Sequence, residues 1–240
     1  AVKSMGLDEL APFRPDERII EYTLAKDKKT DRLAGMTLAQ FADETGSESS
    51  APGGGSVAAY LGALGASLGT MVANLSSAKR GWDERREGFS AWAEKGQEYK
   101  QQLLALVDED TRAFDAVMAA YGLPKNSGTE KKLRGDAIEA AVRYAAEVPC
   151  RVMQVALDSM SMIRAMAENG NPNSVSDAGV GAVCARAAVA SAYLNVKINA
   201  ASLADPASGK EILRKAGEID AKAAEAEKEI LSIVNGRIGK

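Results

Sequence analysis

One acidic residue interrupts the apolar face of a helix that the sequence predicts between residues 84 and 121. Asp110 occupies the position between Val107 and Phe114 at which that face should continue. The other members of the face are Leu103, Leu106, Val117, Met118 and Tyr121. A carboxylate there is costly unless it is paired or used, and burial raises its pKa toward the range of acid–base catalysis. Asp110 is therefore the best catalytic candidate by its spacing; the alternative is a structural carboxylate bonded to a helix end or to a cation across the bundle.

Histidine is absent from the 240 residues of the chain, and this absence limits the types of catalytic site that the protein can form. It excludes the Ser-His-Asp triad, the Cys-His dyad and most catalytic zinc sites. The two cysteines, Cys150 and Cys184, have no metal-site spacing and form no disulfide framework, as expected in a reducing cytoplasm. We therefore expect acid–base chemistry from a carboxylate, Lys, Tyr or Cys, and we expect no metal site.

The stretch from Ala51 to Ala78 predicts a glycine-rich helix with two unlike faces. Three glycines, 53–55, follow Pro52, and Ser56 is expected to cap the helix. One face carries large apolar residues at spacings of three and four: Val57, Leu61, Leu64, Leu68, Met71 and Leu75. Another face carries almost no side chain: Ala58, Gly62, Ala66, Gly69 and Ala73. Because each interior glycine costs a helix about 1 kcal/mol relative to Ala, the small face indicates close approach of another helix or of a flat ligand.

Three plainer interpretations compete for this stretch. A membrane span fits its length and its small residues, but large apolar residues fill only one face. A nucleotide loop would need a GxxxxGK[ST] or GxGxxG motif, and neither is present here. A tightly packed helix without a ligand is the serious alternative.

Polar residues at two other places are candidates for ligand contact. Asn195 and Asn199 follow Ser191 at four-residue steps on an Ala-rich helix, and buried amides need partners. Those partners are either groups on a neighbouring helix or a ligand rich in ring nitrogens. Lys79 and Arg80 follow the glycine-rich helix, where cations suit the helix dipole whatever the function.

The remaining pattern predicts an all-α protein. Apolar residues make up 46% of the sequence and aromatic residues only 5%, which favours closely packed helices over stacked sheets. About six helices and no convincing strand indicate an up-and-down bundle, in which helices 56–78 and 178–203 approach closely. The second of these is expected to begin at a capping box of Ser174 and Asp177. The other helices are expected near residues 37–46, 84–121, 130–166 (kinked at Pro149) and 210–234.

Residues 1–35 differ from the rest of the chain. Two prolines and a charged run at 26–32 predict a linker or the tail of a preceding domain, and residues 36–240 are expected to form the helical domain. The net charge of −3 gives no general attraction to nucleic acid.

Four motifs occur in one order between about Met36 and Val234: PGGGSVAAYLGALGASLGTMVANLS, LVDEDTRAFDAV with LPK after it, NPNSVSDAGVGA and YLNVKIN. Together they resemble the cyclodeaminase/cyclohydrolase family that acts on one-carbon tetrahydrofolates. The resemblance implies an all-helical, dimeric bundle that binds folate between its helices, with no metal and no permanently bound cofactor. It places the catalytic acid of the family, in the motif Asp-x-Asp-x-x-Ala-Phe, on Asp110.

The same resemblance implies a set of substrate-binding residues: Pro52, Gly53, Gly54, Gly55, Ser56, Lys79, Arg80, Asn173, Asp177, Asn195 and Asn199. The basic motif departs from the pattern, because this chain has SSAKRGWDE where relatives often carry Gly-Lys-Lys or Gly-Arg-Arg. Lys79 and Arg80 are expected to hold the glutamate tail of the folate, and simple helix capping is the alternative. The segment MGLDELAPFRPDERIIEY resembles the end of a formiminotransferase domain, which implies such a domain in the same or a partner chain.

Three functions are consistent with these patterns. The leading expectation is the ring-closing deamination of 5-formiminotetrahydrofolate to 5,10-methenyltetrahydrofolate and ammonia. The first alternative is a methenyltetrahydrofolate cyclohydrolase that gives 10-formyltetrahydrofolate. The second is a non-catalytic bundle that uses its two helices rich in small residues only for dimerisation. For the enzymes, the expected partners are a polyglutamylated folate and a second copy of the chain, as a homodimer or higher oligomer, in the cytoplasm and without nucleic acid or a membrane.

Overall fold

Six α-helices make up most of residues 32–239, the part of the chain that the computed structural model describes, and no strand occurs in that part. The helices are α1 (Leu38–Thr45), α2 (Gly54–Ser77), α3 (Arg86–Tyr121), α4 (Gly128–Asn169), α5 (Val175–Ala201) and α6 (Pro206–Arg237). Short 3-10 turns lie at Leu33–Gly35, Asp83–Arg85 and Pro172–Ser174. The all-α class is confirmed. The predicted N-terminal tail falls mostly outside the described residues; within it, Leu33 is buried against the helical core.

Side-chain caps begin three of the helices. Thr37 and Ser127 form complete capping boxes at α1 and α4, where the hydroxyl accepts from a backbone N–H in the first turn. Asp205 accepts from the backbone N–H groups of Ala207 and Ser208 at the start of α6. These local bonds mark where α1, α4 and α6 start.

Two predicted helix caps are wrong. The glycine-rich helix begins at Gly54 with Gly53 as its N-cap, so Ser56 lies inside the first turn and its hydroxyl is available for another partner. The helix after Ser174 begins where predicted, but the Ser174 side chain makes no capping bond, so the predicted capping box with Asp177 does not form. Backbone N–H groups at the start of α2 are therefore not consumed by a side-chain cap.

The helices form a four-helix core with α6 added to one side. Helix α2 packs between α3 and α5, and α4 packs on α3 and α5 and also contacts α2. Helix α6 lies against α4 and α5. Helices α2 and α5 are antiparallel, because Gly54 lies beside Asn195 while Gly65 lies beside Gly181.

The small faces of α2 and α5 pack against each other, as the sequence predicts. A Cβ added to Gly65 would lie 2.8 Å from the carbonyl oxygen of Gly181 and 3.0 Å from the amide nitrogen of Ala185. Both faces are thus covered by helices of the same chain. The small faces themselves are therefore not accessible to a second copy of the chain.

The large apolar face of α2 lies at the surface instead of in the core. Leu64 is 40% exposed and Leu75 is 44% exposed. The C-terminal part of the predicted apolar face of α3 is exposed as well, at Phe114, Met118 and Tyr121. Bulky core residues come mainly from α3 and α4: Leu103, Val107, Met153, Met160, Met162, Ile163 and Met166.

Met162 of α4 occupies the space beside two glycines. Its Cε lies 2.6 Å from the position that a Cβ on Gly69 of α2 would take, and its Sδ lies 2.6 Å from that of a Cβ on Gly96 of α3. A flexible thioether thus fills the gap that three helices leave between them.

Two segments, α2 and residues 172–201, have the length and apolar character of a membrane span. Their small residues are buried inside the bundle. Buried core helices share these properties, so the feature by itself is weak support for a membrane.

Replacing Gly65 by Ala tests the close contact of α2 and α5. The added methyl group meets backbone atoms of α5, and overpacking of this kind costs about 1–3 kcal/mol of unfolding free energy. Gly88→Ala on α3 is the control, because nothing lies within 4 Å of its added Cβ; it should be neutral or stabilising by up to about 1 kcal/mol. Urea denaturation measures both, and equal midpoints for the two variants would contradict the close contact.

Candidate active site

A cleft of about 260 Å³ opens at the N-terminal end of α2. Helices α2, α3 and α5 and the loop before α2 form its walls, with a contribution from Ala145 of α4. Its lining residues are Ser50, Ala51, Gly53, Gly54, Gly55, Asp110, Thr111, Ala113, Phe114, Val117, Ala145, Asn195 and Asn199. The cleft thus brings together Asp110, the glycine turn and both predicted asparagines, while Pro52 and Ser56 are buried directly beside them.

Asp110 is fixed against the first turn of α2. The Ser56 hydroxyl donates a hydrogen bond of 2.9 Å to Asp110 Oδ2. A Cβ on Gly55 would overlap the carboxyl group, so only glycine permits this approach. The start of α2 also presents backbone N–H groups and the positive end of the helix dipole to the carboxylate.

The pKa of Asp110 is nevertheless raised above its ordinary value of 3.8. Burial in the cleft raises it, and the hydrogen bonds from Ser56 oppose that shift without cancelling it. No cation contributes. A half-buried carboxyl of this kind can exchange a proton with a ligand more readily than one held in an ion pair.

The neighbouring Glu109 shows the opposite behaviour. Burial acts to raise the pKa of Glu109, but hydrogen bonds from the Arg151 guanidinium and the Tyr144 hydroxyl outweigh it and lower the pKa. Tyr144 Oη lies 2.7 Å and Arg151 Nη2 lies 2.5 Å from Glu109 Oε1. Glu109 is therefore a structural ion-pair partner between α3 and α4, whereas Asp110 faces the cleft.

The two asparagines use only part of their hydrogen-bonding capacity. Asn199 Nδ2 donates to the carbonyl oxygen of Ala145 on α4 at 2.7 Å, and Asn195 Nδ2 donates to that of Ser191 at 3.1 Å. The interhelix bond that was one alternative for these amides therefore exists at Asn199. Each amide, at the wall of the cleft, still has one N–H and a carbonyl oxygen for a ligand.

Three further lining residues were not predicted as site residues. The Thr111 hydroxyl is a buried side-chain oxygen without a hydrogen-bond partner among residues 32–239. Phe114 and Val117 were assigned to the core face of α3, yet they line the cleft. The available signal was their position: Thr111 follows Asp110, and the other two continue the same face of α3.

Four predicted binding residues lie at the other end of the bundle. Lys79 and Arg80 follow the C-terminal end of α2, whose 24 residues span roughly 35 Å at the usual helical rise. The Lys79 ammonium lies over the ring of Trp82, 4.1 Å from its centroid. Asn173 and Asp177 lie at the start of the antiparallel α5, at that same end. One chain therefore does not bring these four residues to the cleft.

The sequence from residue 37 to residue 218 matches the family model described as Formiminotransferase-cyclodeaminase. The chain belongs to this family. The family is enzymatic, and its members include proteins named as cyclodeaminases and as a cyclohydrolase.

Members of the formiminotransferase-cyclodeaminase family differ in length relative to this chain. The formimidoyltransferase-cyclodeaminase of Gallus gallus is 38% identical over 204 residues, which are 85% of this chain and 38% of that protein. The methenyltetrahydrofolate cyclohydrolase of Methylorubrum extorquens is 37% identical over 202 residues, 84% of this chain and 97% of that protein. The chain thus spans less than half of the first relative and nearly all of the second.

A solved structure confirms the fold of the family for this chain. The formiminotetrahydrofolate cyclodeaminase of Thermotoga maritima superposes with a TM-score of 0.75 at 28% sequence identity. The match covers 85% of this chain and 98% of that protein. Among residues 32–239, no group of three or more His, Cys, Asp or Glu side chains is arranged to hold a metal ion.

Replacing Asp110 by Asn tests the raised pKa of this carboxyl through its effect on stability. Because the folded-state pKa lies above the unfolded value, the carboxyl contributes stability that is present below the unfolded pKa and is lost as pH rises through the folded pKa. We expect the unfolding free energy of the wild type to fall relative to that of Asp110→Asn as pH rises from about 3.5 toward about 7. Urea denaturation at a series of pH values measures the difference.

Asp205→Asn is a control with the opposite sign. The Ser208 hydroxyl and the backbone N–H groups of Ala207 and Ser208 lower the pKa of Asp205. Its contribution to stability is therefore present above the unfolded pKa and lost as pH falls through the folded pKa. The wild type should gain stability relative to Asp205→Asn over the same rise in pH. The same sign for both variants would show that Asp110 is not in a pKa-raising site.

Proposed function

We propose that this protein closes the ring of 5-formiminotetrahydrofolate to give 5,10-methenyltetrahydrofolate and ammonia. The observation that carries the proposal is the position of Asp110, a half-buried carboxyl of raised pKa that faces a cleft in a chain without histidine. Membership of the formiminotransferase-cyclodeaminase family supports the substrate class.

The reaction requires one proton to move between two nitrogens of the substrate. N10 attacks the carbon of the protonated formimino group, and the new C–N10 bond gives a tetrahedral adduct with a proton on N10. The Asp110 carboxylate accepts that proton and donates it to the amino group of the adduct. The C–N bond then breaks, ammonia leaves, and the N5 lone pair forms the methenyl cation. Between turnovers Asp110 is a carboxylate again, and it stabilises the cationic product electrostatically.

The cleft supplies groups suited to the rest of a folate. The glycines at the start of α2 let a flat ring approach the backbone, whose N–H groups can donate to it. Asn195 and Asn199 offer amide groups for the nitrogens and the carbonyl of a pterin ring, and the Thr111 hydroxyl offers a further donor or acceptor. Phe114 and Val117 provide an apolar wall for the aromatic part of the molecule.

A cyclohydrolase is the alternative function for the same cleft. The cyclohydrolase of Methylorubrum extorquens is aligned over 97% of its length. This match supports the cyclohydrolase reaction, and it also supports an enzyme of a single domain. There Asp110 would take a proton from the water that attacks the methenyl carbon and give it to N5 as the C–N5 bond breaks, and the hydroxyl proton of the adduct would pass to solvent as the 10-formyl group forms. The N-terminal resemblance to a formiminotransferase and the relative from Gallus gallus favour the deaminase.

The proposal also covers the substrate form, the partner domain and the location of the enzyme. A polyglutamylated folate is the proposed substrate, a formiminotransferase domain in the same or a partner chain supplies it, and no permanently bound cofactor takes part. We place the enzyme in the cytoplasm, without nucleic acid or membrane partners.

The near-ultraviolet absorbance of methenyltetrahydrofolate distinguishes the reactions in one assay. We expect the signal to grow when the wild type acts on 5-formiminotetrahydrofolate. Asp110→Asn should lower turnover by a factor of roughly 10² to 10⁴, the usual contribution of one acid–base group. Asp115→Asn, an exposed carboxylate on the same helix, is the matched control and should change turnover little. Loss of the methenyl signal faster than its uncatalysed decay would identify a cyclohydrolase, and no effect on either substrate would refute both enzymes.

Ser56→Ala tests the hydrogen bond that holds Asp110. Without the Ser56 hydroxyl, burial is less opposed and the pKa of Asp110 rises further. Since the reaction needs the carboxylate form, the acidic limb of the pH–rate profile should move to higher pH. Ser67→Ala is the control, because the Ser67 hydroxyl donates to the carbonyl oxygen of Ala63 on the same helix. An unchanged acidic limb in Ser56→Ala would rule out Asp110 as the group that titrates.

A further inference from the structure

Residues 34–51, which contain α1 and the loop that leads to α2, are held loosely on the bundle; we call them the lid segment. None of them is buried, although the segment lies between two buried residues, Leu33 and Pro52. Among the residues that the structure describes, one hydrogen bond joins the segment to helices α2–α6: the Ala34 N–H donates to Asp108 Oδ1 at 3.3 Å. The other hydrogen bonds of the segment are local, between residues at most four apart.

The packing under the lid segment is incomplete as well. Phe41 contacts Tyr60 of α2, with ring centroids 5.3 Å apart. Beside this pair an apolar cavity of about 50 Å³ remains, lined also by Leu33, Met36 and Val107. Helix α1 has only 8 residues, too few for a helix to be stable by itself in water. The lid segment therefore keeps its structure through these few contacts, and it can detach while the bundle stays folded.

The side of α3 that faces the lid segment carries Thr111. Asp108 and Thr111 are three residues apart, so they are neighbours on one side of the helix. Ala34, at the start of the lid segment, donates to Asp108. Ser50 and Ala51, at its end, line the cleft together with Thr111. The lid segment therefore runs along this side of α3, where the Thr111 hydroxyl is closed to solvent.

The Thr111 hydroxyl lacks the hydrogen bond that two other helical threonines of this chain make. Thr45 and Thr70 each donate to the carbonyl oxygen four residues earlier, at 2.7 Å. Thr111 makes no hydrogen bond to any residue in the described part of the chain. An unpaired buried hydroxyl has a free-energy cost, which disappears when water or a ligand reaches the group. This one group therefore disfavours the state in which it is covered.

The cleft is small for a folate. Its volume of about 260 Å³ lies below the roughly 300–1,000 Å³ of typical small-molecule sites. Ser50 and Ala51 of the lid segment form part of its wall, so displacement of the segment widens the cleft. A pterin ring therefore enters most readily when this wall has moved.

We propose that residues 34–51 are a lid of the cleft, and that the Thr111 hydroxyl sets how readily this lid opens. With the lid closed, the hydroxyl has no partner among residues 32–239; with the lid open, it bonds to water and the substrate can enter. The lid then closes on the bound substrate and keeps water from the reacting carbon. Gly35 and Gly53, beside the two buried ends, are the hinge positions. The admission of a folate rests on the proposed function, whereas the opening of the lid does not.

Hydrogen exchange of the α1 amides measures this opening without any ligand. Because α1 is unstable when it is detached, its amides exchange each time the lid opens. In the wild type they should exchange at least about 100-fold faster than the amide of Val72, which is buried in α2. Equal exchange rates for α1 and Val72 would show that the segment opens only when the whole protein unfolds, and they would overturn the proposal.

Thr111→Val tests the role of the hydroxyl. Valine has nearly the shape of threonine, but a closed lid then covers no polar group at this position. Exchange of the α1 amides should slow by roughly 5- to 100-fold, the effect of one unpaired buried hydroxyl. Thr70→Val is the matched control, because the Thr70 hydroxyl is paired with Ala66 in the middle of α2; it should leave α1 exchange unchanged. An unchanged α1 rate in Thr111→Val would show that this hydroxyl does not control the lid.

Phe41→Ala tests the lid from its own side. Loss of the contact with Tyr60 should speed exchange of the α1 amides at least about 10-fold, because little else holds the helix in place. Leu38→Ala on the same helix is the control, since Leu38 is 72% exposed, and it should change exchange little. The same rate in both variants would contradict a lid that is held closed by this contact.

The kinetics of 5-formyltetrahydrofolate binding test whether the lid controls entry to the cleft. If the folate enters only when the lid is open, its association rate constant depends on the open fraction of the protein. In stopped-flow measurements that constant should fall in Thr111→Val by the factor by which α1 exchange slows, and it should rise in Phe41→Ala. Unchanged association in both variants, together with altered exchange, would show that the lid does not gate the cleft.

Failure of the proposed function is distinguishable from failure of this inference. If the wild type does not bind 5-formyltetrahydrofolate, the folate site is refuted, and the exchange rates of the three variants and the wild type still decide whether Thr111 controls a lid. If the wild type binds and turns over folate while α1 exchanges no faster than Val72, the lid alone is refuted.

Discussion

The contact between the small faces of α2 and α5 is the constraint on which the rest of the bundle depends. Gly65 lies so close to Gly181 that neither helix has room for a larger residue at that level. Close backbone approach of two long antiparallel helices brings the first turn of one beside the last turns of the other. The glycine turn and Asn195 meet in the cleft for this reason.

Two opposing effects set the protonation of Asp110 in the cleft. The first turn of α2 and the Ser56 hydroxyl favour the carboxylate, while burial favours the protonated acid, and burial dominates. Glu109 lies one residue earlier on the same helix and faces α4, where Arg151 and Tyr144 reverse the outcome. One residue along a helix, about 100° of rotation, thus separates a carboxyl that faces the cleft from one held in an ion pair.

Much of the fold could be predicted because it rests on local chemistry. Capping residues such as Thr37 and glycines at helix ends mark boundaries directly, and periodicity gives the helices between them. Which face of α2 lies inside could not be predicted by hydrophobicity. Close helix contact favours Gly and Ala, so the small face was buried and Leu64 was left outside. The rule that larger apolar residues lie in the core does not hold where backbones pack this closely.

Only part of the candidate site could be predicted from the sequence. Asp110 stood out because its type disagreed with its position, and the structure places it in the cleft. Thr111 gave no such signal, because a Thr on a helix is unremarkable until the cavity beside it is known. Lys79 and Asn173 could not be placed, because the direction of the helices decides which end of the bundle they occupy.

Met162 links the volumes of three helices. Its side chain fills the space beside Gly69 of α2 and shares the space beside Gly96 of α3 with Thr70, so a side chain at either glycine must take its room from these neighbours. The total volume at this level is fixed by the spacing of the helices. A larger residue at one of these positions therefore requires a smaller one at another. The positions in the middle of the bundle are therefore sterically coupled and do not act as independent sites.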